Sequence, residues 1–122
     1  MKGMNAHGGR QASRGASDRE ALLREELERI SAILADRPDI VRVVVFGSVA
    51  RGRVHRLSDL DLIIVQRTSK RFLERLDEMY RLLLPRVACD ILVYSPEEFE
   101  RLQKENRFVA RAVREGRVIH AA

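Results

Sequence analysis

The sequence predicts a single α/β (α+β) domain, with a small mixed central sheet flanked by helices. Apolar residues at helical spacing alternate along the chain with short apolar runs, in the order helix, strand, helix, strand, helix, strand, helix. That alternation is the pattern of one layered domain. A length of 122 residues suits one domain with its own core. Between the first two apolar runs lie only about a dozen residues, near the lower limit for a parallel crossover. Those two strands are therefore expected to be antiparallel, and the sheet mixed.

Residues 1–16 are rich in Gly, Ser, Ala and Arg and lack periodic apolar positions. They are expected to form a disordered tail, leaving 17–122 as the folded domain. Ser17-Asp18-Arg19-Glu20 spells a capping box, and Leu23, Leu27, Ile30 and Leu34 continue it at helical spacing to about Ala35, with Pro38 as the stop. Val41 to Phe46 reads as a strand whose valine content calls for cover on both faces. One or two helical turns follow from Ser48 to about Gly52. Asp59 to Val65 is the second strand. Thr68 or Ser69 is expected to cap a helix carrying Phe72, Leu76, Met79, Tyr80 and Leu83 on one stripe, ended by Pro85. Val87 to Tyr94 is the third strand. Ser95-Pro96-Glu97-Glu98 repeats the helix-start grammar for a helix over about 96–104. Asn106 is placed to cap a last helix with Phe108, Val109, Ala112 and Val113, closed by Gly116, and Val118 and Ile119 fit a final edge strand.

Composition narrows the function classes. Cys89 is the single cysteine, so an intrachain disulfide is excluded and a cytoplasmic setting expected. No apolar stretch precedes Ala21, which argues against a signal peptide, and no run approaches the ~20 residues of a membrane span. The net charge of +5 suits anionic ligands. Much of that charge is Glu and Arg in alternation, the pattern of solvated helix faces. Aromatic residues are scarce, which counts against nucleic acid as the ligand. An apolar stripe left uncovered on the last two helices would mark a partner or homo-oligomer contact.

The chemistry is concentrated between Gly47 and Asp61, with Asp90 as an outlier. Asp59 and Asp61 are one position apart at the start of an apolar strand, so their carboxylates share a face. Two ionised acids side by side repel, and a bound cation relieves that. The plainer alternative is a pair of turn-capping aspartates. Asp90 interrupts another apolar strand, where it either joins the pair or meets an arginine. Three such carboxylates form a hard-oxygen site suited to Mg²⁺, with Mn²⁺ as an alternative. Gly47 and Ser48 form a tight turn where backbone can approach an anion closely. The spacing of Gly47 and Gly52 mimics a P-loop, but Arg53-Val54 stands where Lys-Ser/Thr is required, so that motif is excluded. Arg51 and Arg53 follow the turn and can reach a phosphate or remain solvated.

Gly47-Ser48, ten residues, then Asp59-Leu60-Asp61 resembles the GSx10DxD signature of the DNA polymerase β-like nucleotidyltransferase superfamily. The longer match, Gly-Ser-x-Ala-Arg-Gly followed by Ser-Asp-x-Asp-Leu, looks most like its minimal nucleotidyltransferases. The resemblance spans nearly all of residues 18–119. It implies transfer of a nucleoside monophosphate, AMP from ATP, to a hydroxyl with release of pyrophosphate. Gly47 and Ser48 would hold the β- and γ-phosphates, with Arg51 and Arg53 beside them. Asp59, Asp61 and Asp90 would ligate two Mg²⁺ ions, and Asp90 would help deprotonate the attacking hydroxyl. Small members of this branch act as antitoxins to a helical HEPN partner, some by attaching AMP to its tyrosine. A partner of that kind would supply the acceptor for which this chain has no second domain. The alternative is a non-catalytic binder that neutralises its partner by surface contact.

Overall fold

The computed structural model describes residues 2–54 and 59–122, with side chains from Asp18 onward. Four strands form one sheet: β1 (Ile40–Phe46), β2 (Leu60–Gln66), β3 (Cys89–Tyr94) and β4 (Arg117–Ala121), in the order β3-β2-β1-β4. β1 runs antiparallel to β2 and to β4, while β2 and β3 are parallel. The sheet is therefore mixed, as the short first connection requires. The parallel pair is joined by the helix α3 (Phe72–Leu83).

Alternation along the strands divides the core into two layers. Val43, Val45, Leu60, Leu62, Ile64, Ile91 and Val93 face α1 (Lys2–Ala35) and α3, where they meet Leu23, Ile30, Leu34, Met79 and Leu83. Val44, Phe46, Ile63 and Val65 face α4 (Pro96–Glu105) and α5 (Arg107–Glu115), where they meet Phe99, Val109 and Ala112. The valine-rich β1 is covered on both sides for this reason.

Helix ends follow their local chemistry. Ser95 Oγ accepts the Glu98 amide while the Glu98 carboxylate accepts the Ser95 amide, which starts α4. Asn106 Oδ1 accepts the Val109 amide and starts α5. α3 departs from expectation. Thr68 Oγ1 accepts the Lys70 amide in a turn, and the helix begins only at Phe72, with Glu74 accepting the Arg71 amide. Its buried face is Arg75, Met79 and Leu83, whereas Phe72 and Tyr80 are more than a third exposed. Arg75 is buried because its guanidinium meets Glu98 at 2.6 Å and the Lys70 carbonyl at 2.7 Å.

α1 is continuous from Lys2, so Ser17 lies inside the helix rather than at its cap. The expected tail over 1–16 concerns residues whose side chains lie outside the described set. Buried Glu26 anchors this helix. It pairs with Arg29 at 2.7 Å and accepts the Arg86 amide, while Arg29 also donates to the carbonyl of Leu83 at the end of α3. Among the described residues no helix is long and apolar enough to cross a membrane.

Candidate active site

β-strand periodicity places the acids. Leu60, Leu62 and Ile64 point into the α1/α3 layer, so Asp61 points to the other face, beside Ile63 and Val65. Asp61 pairs in register with Asp90 across the parallel β2/β3 ladder. On β3, Ile91 and Val93 belong to the α1/α3 layer and Leu92 and Tyr94 to the other, which sets Asp90 on the same side as Asp61. Cys89 packs into the opposite layer, where burial pushes its thiol up to about 12.

The two acids line one cavity of about 490 Å³ with Phe46, Tyr80, Leu92 and Phe108. Removal from water raises the Asp61 carboxyl to about 6, and the charges of Asp90 and Asp59 and a hydrogen bond with Asp90 add to it, while Arg51 opposes. This is the behaviour of a carboxylate that is first of all buried, with neighbouring acids adding to the effect.

The bend after β1 is shaped around the same acid. Gly47 has φ +76°, and a Cβ there would collide with Asp61 Oδ2. The conformation calls for glycine, and a side chain here would also push the Asp61 carboxylate out of place. The four-residue turn α2 (Gly47–Ala50) then closes at Gly52, φ +70°, where the space is open and only the backbone angle calls for glycine. The Arg53 amide donates to the Ser48 carbonyl at 2.9 Å, and the Arg53 side chain is exposed. Arg51 reaches the other way, toward α5, with Nη1 at 3.6 Å from Glu115. With Phe46, Gly47, Phe108, Arg111, Ala112 and Glu115 it lines a second cavity of about 190 Å³. Phe46 and Phe108 border both cavities, their rings in a T-shaped contact at 5.6 Å.

Asp59 stands apart from this pair. It precedes β2 and lies 3.7 Å from Arg19 of α1. Among the described residues no three His, Cys, Asp or Glu side chains sit close enough to hold an ion as they stand. The three-acid convergence expected from the sequence is thus drawn as a neighbouring pair, with the third acid held by an arginine. The donor chemistry still fits a hard divalent cation: the oxygens are carboxylate, and Asp61 and Asp90 face each other in register. His55 and Ser58, within the sequence signature, lie outside the described residues.

Sequence reasoning missed four residues of this region. Tyr80 lines the acid cavity and donates its hydroxyl to the Cys89 carbonyl at 2.5 Å. Phe108, Arg111 and Glu115 lie at positions i, i+3 and i+7 of α5, hence on one face. That spacing was present in the sequence, but Phe108 reads there as core, whereas it is 55% exposed.

Comparison with known proteins follows the same lines. The model of the nucleotidyltransferase domain family matches residues 27–120. A protein of Sulfolobus solfataricus described as a candidate nucleotidyltransferase shares the fold at a TM-score of 0.57 and 23% identity, covering 71% of this chain and 79% of its own. A toxin–antitoxin structure with AMP-PNP matches at a TM-score of 0.48 and 19% identity over 78% of this chain and 73% of its own. A mutant of the toxin–antitoxin MntA-HpeT gives 0.48 and 17%, over 78% and 72%. No curated protein matches the sequence.

Proposed function

The chain belongs to the nucleotidyltransferase domain family, and from that premise we propose that it moves a nucleoside monophosphate, AMP from ATP, onto a hydroxyl. The observation that carries this reading is the registered pair Asp61 and Asp90 against the Gly47 bend. An acid pair with surplus charge, beside a backbone bend that admits no side chain, suits a polyphosphate and its counter-cations.

In the proposed reaction the acceptor oxygen attacks the α-phosphorus. A new P–O bond forms, the bond to the bridging oxygen of pyrophosphate breaks, and the acceptor's proton passes to a carboxylate. Asp90 is the exposed member of the pair and is assigned to that proton. Asp61 is the inner acid, and Gly47, Ser48, Arg51 and Arg53 hold the phosphates. Mg²⁺ held by Asp61, Asp90 and Asp59 would neutralise the attacking and leaving oxygens of an in-line displacement. Arg19 faces one oxygen of Asp59 at 3.7 Å, leaving the other for the ion.

For the acceptor we propose a tyrosine of a HEPN-type partner, in a cytoplasmic toxin–antitoxin pair. The support is the Gly-Ser-x-Ala-Arg-Gly and Ser-Asp-x-Asp-Leu blocks, which resemble the minimal branch of the family. A second reading, a binder that neutralises a partner without chemistry, draws on the exposed apolar residues Leu73 and Leu84 of the α3 region. ATP labelled in its α-phosphate, Mg²⁺ and the product of the adjacent gene distinguish them. Label on the partner, lost in Asp61→Asn and Asp90→Asn, supports transfer. No label on any protein, with both variants still neutralising the partner, sinks it in favour of binding.

A further inference from the structure

The second cavity holds more cationic side chains than the sequence signature accounts for. Arg51 comes from the turn after Gly47, and Arg111 comes from α5, some sixty residues away in sequence. Both meet one carboxylate. Glu115 Oε2 lies 3.6 Å from Arg51 Nη1, and Arg111 Nε donates to both oxygens of Glu115 at 3.2 Å. Gly47 forms the wall between this cavity and Asp61, since the same glycine lines the cavity and abuts the carboxylate. Two guanidinium groups around a shared oxyanion, next to a side-chain-free bend, is an arrangement suited to phosphate oxygens.

We propose that Arg51 and Arg111 form the subsite for the terminal phosphates of a nucleoside triphosphate, and that the Glu115 carboxylate occupies it until the ligand displaces it. This deepens the function proposed above and rests on it for the nucleotide. The placement follows from the cavities: Phe46 and Phe108 border both, the acids lining one and the arginines the other. A ligand spanning both cavities sets its reacting phosphate by Asp61 and Asp90 and its outer phosphates by Arg51 and Arg111. Glu115 is well suited to yield, because its side chain is a third exposed and that of Arg111 nearly two-thirds exposed. A pair so open to water is weak. A polyphosphate carries several charges where Glu115 carries one.

The test is calorimetric titration of the full chain in magnesium buffer with ATP, inorganic tripolyphosphate and adenosine. Arg111→Gln is expected to weaken ATP and tripolyphosphate by about tenfold. Glu115→Gln is expected to tighten both by about threefold to tenfold, and that gain disappears in the double variant. Arg114→Gln, the same charge change three residues along α5, controls for net charge and should stay within about twofold of the parent. If the parent binds ATP and Arg111→Gln binds it equally well, the subsite is overturned while the nucleotidyltransferase reading stands. If Arg114→Gln weakens binding as much as Arg111→Gln, the effect is general charge and the subsite is likewise overturned. Tripolyphosphate binding without ATP binding keeps the subsite and removes the nucleotide. A parent that binds neither probe removes both.

Discussion

Neutralising Asp61 should make the metal-free protein more stable. Its carboxyl is lifted from the ordinary 3.8 to about 6 by burial and by the neighbouring acids. A carboxyl held above its unfolded value favours the folded state fully below the unfolded value, and that contribution is lost as pH rises through the folded one. The loss therefore falls between about pH 4 and pH 6. At ~1.4 kcal/mol per unit, a shift of roughly two units sets a ceiling of about 3 kcal/mol. Asp61 is partly exposed, and solvent screening reduces this to about 1 kcal/mol. For a domain of this size that corresponds to a rise in Tm of about 3–6 °C for Asp61→Asn. Thermal unfolding followed by circular dichroism in EDTA, at pH 4 and pH 8, reads the difference between parent and variant. The two should coincide at pH 4 and separate at pH 8 with the variant higher. A variant less stable at pH 8, or equally stabilised at both values, would refute the electrostatic account of this site.

Other consequences can be checked in the same way. Gly47→Ala meets both the positive φ and Asp61 Oδ2 and should cost about 2 kcal/mol or more in urea unfolding, whereas Gly52→Ala, with open space, should cost about 1 kcal/mol; equal costs would mean that the Asp61 contact contributes nothing. Met79→Ala, at a fully buried position between α3 and the sheet, is expected to cost about 2–5 kcal/mol by the same measurement. The Arg37 guanidinium holds the Asp39 carboxyl down to about 2, a contribution present above the ordinary carboxylate value and lost as pH falls toward 2. Arg37→Gln should flatten that acid limb, and an unchanged pH profile would remove the ion pair from the account. Cys89, raised by burial, should resist thiol reagents at pH 8 until the protein unfolds; rapid labelling of the native protein would contradict its placement.

Much of this architecture was legible because its signals are local. The valine run of β1, the Ser95 and Asn106 caps and the short link before β2 depend on neighbours in sequence, and each is found where its chemistry puts it. The start of α3 was misjudged because Thr68 satisfies a turn amide instead of a helix. Arg75 was missed because its burial depends on Glu98, twenty-three residues away, and on a carbonyl that only the fold brings near. The candidate site divides the same way. Asp61 and Gly47 announce themselves through strand period and turn. Arg111 and Glu115 look like an ordinary i, i+4 pair on a solvated helix until α5 is laid against the bend after β1. Asp59 reads as a partner of Asp61 by spacing, and nothing local in sequence points to Arg19 as its neighbour.

The ladder between β2 and β3 gives this protein an internal ruler. Because side chains alternate, a slip of β3 by one residue would seat Cys89 or Ile91 beside Asp61 and turn Asp90 to the far surface of the sheet. A chain misaligned there could remain compact and apolar inside, yet the paired acids would be gone. The apolar residues packed on both faces of β3, Ile91 and Val93 on one and Leu92 and Tyr94 on the other, hold this alignment and with it the acid pair.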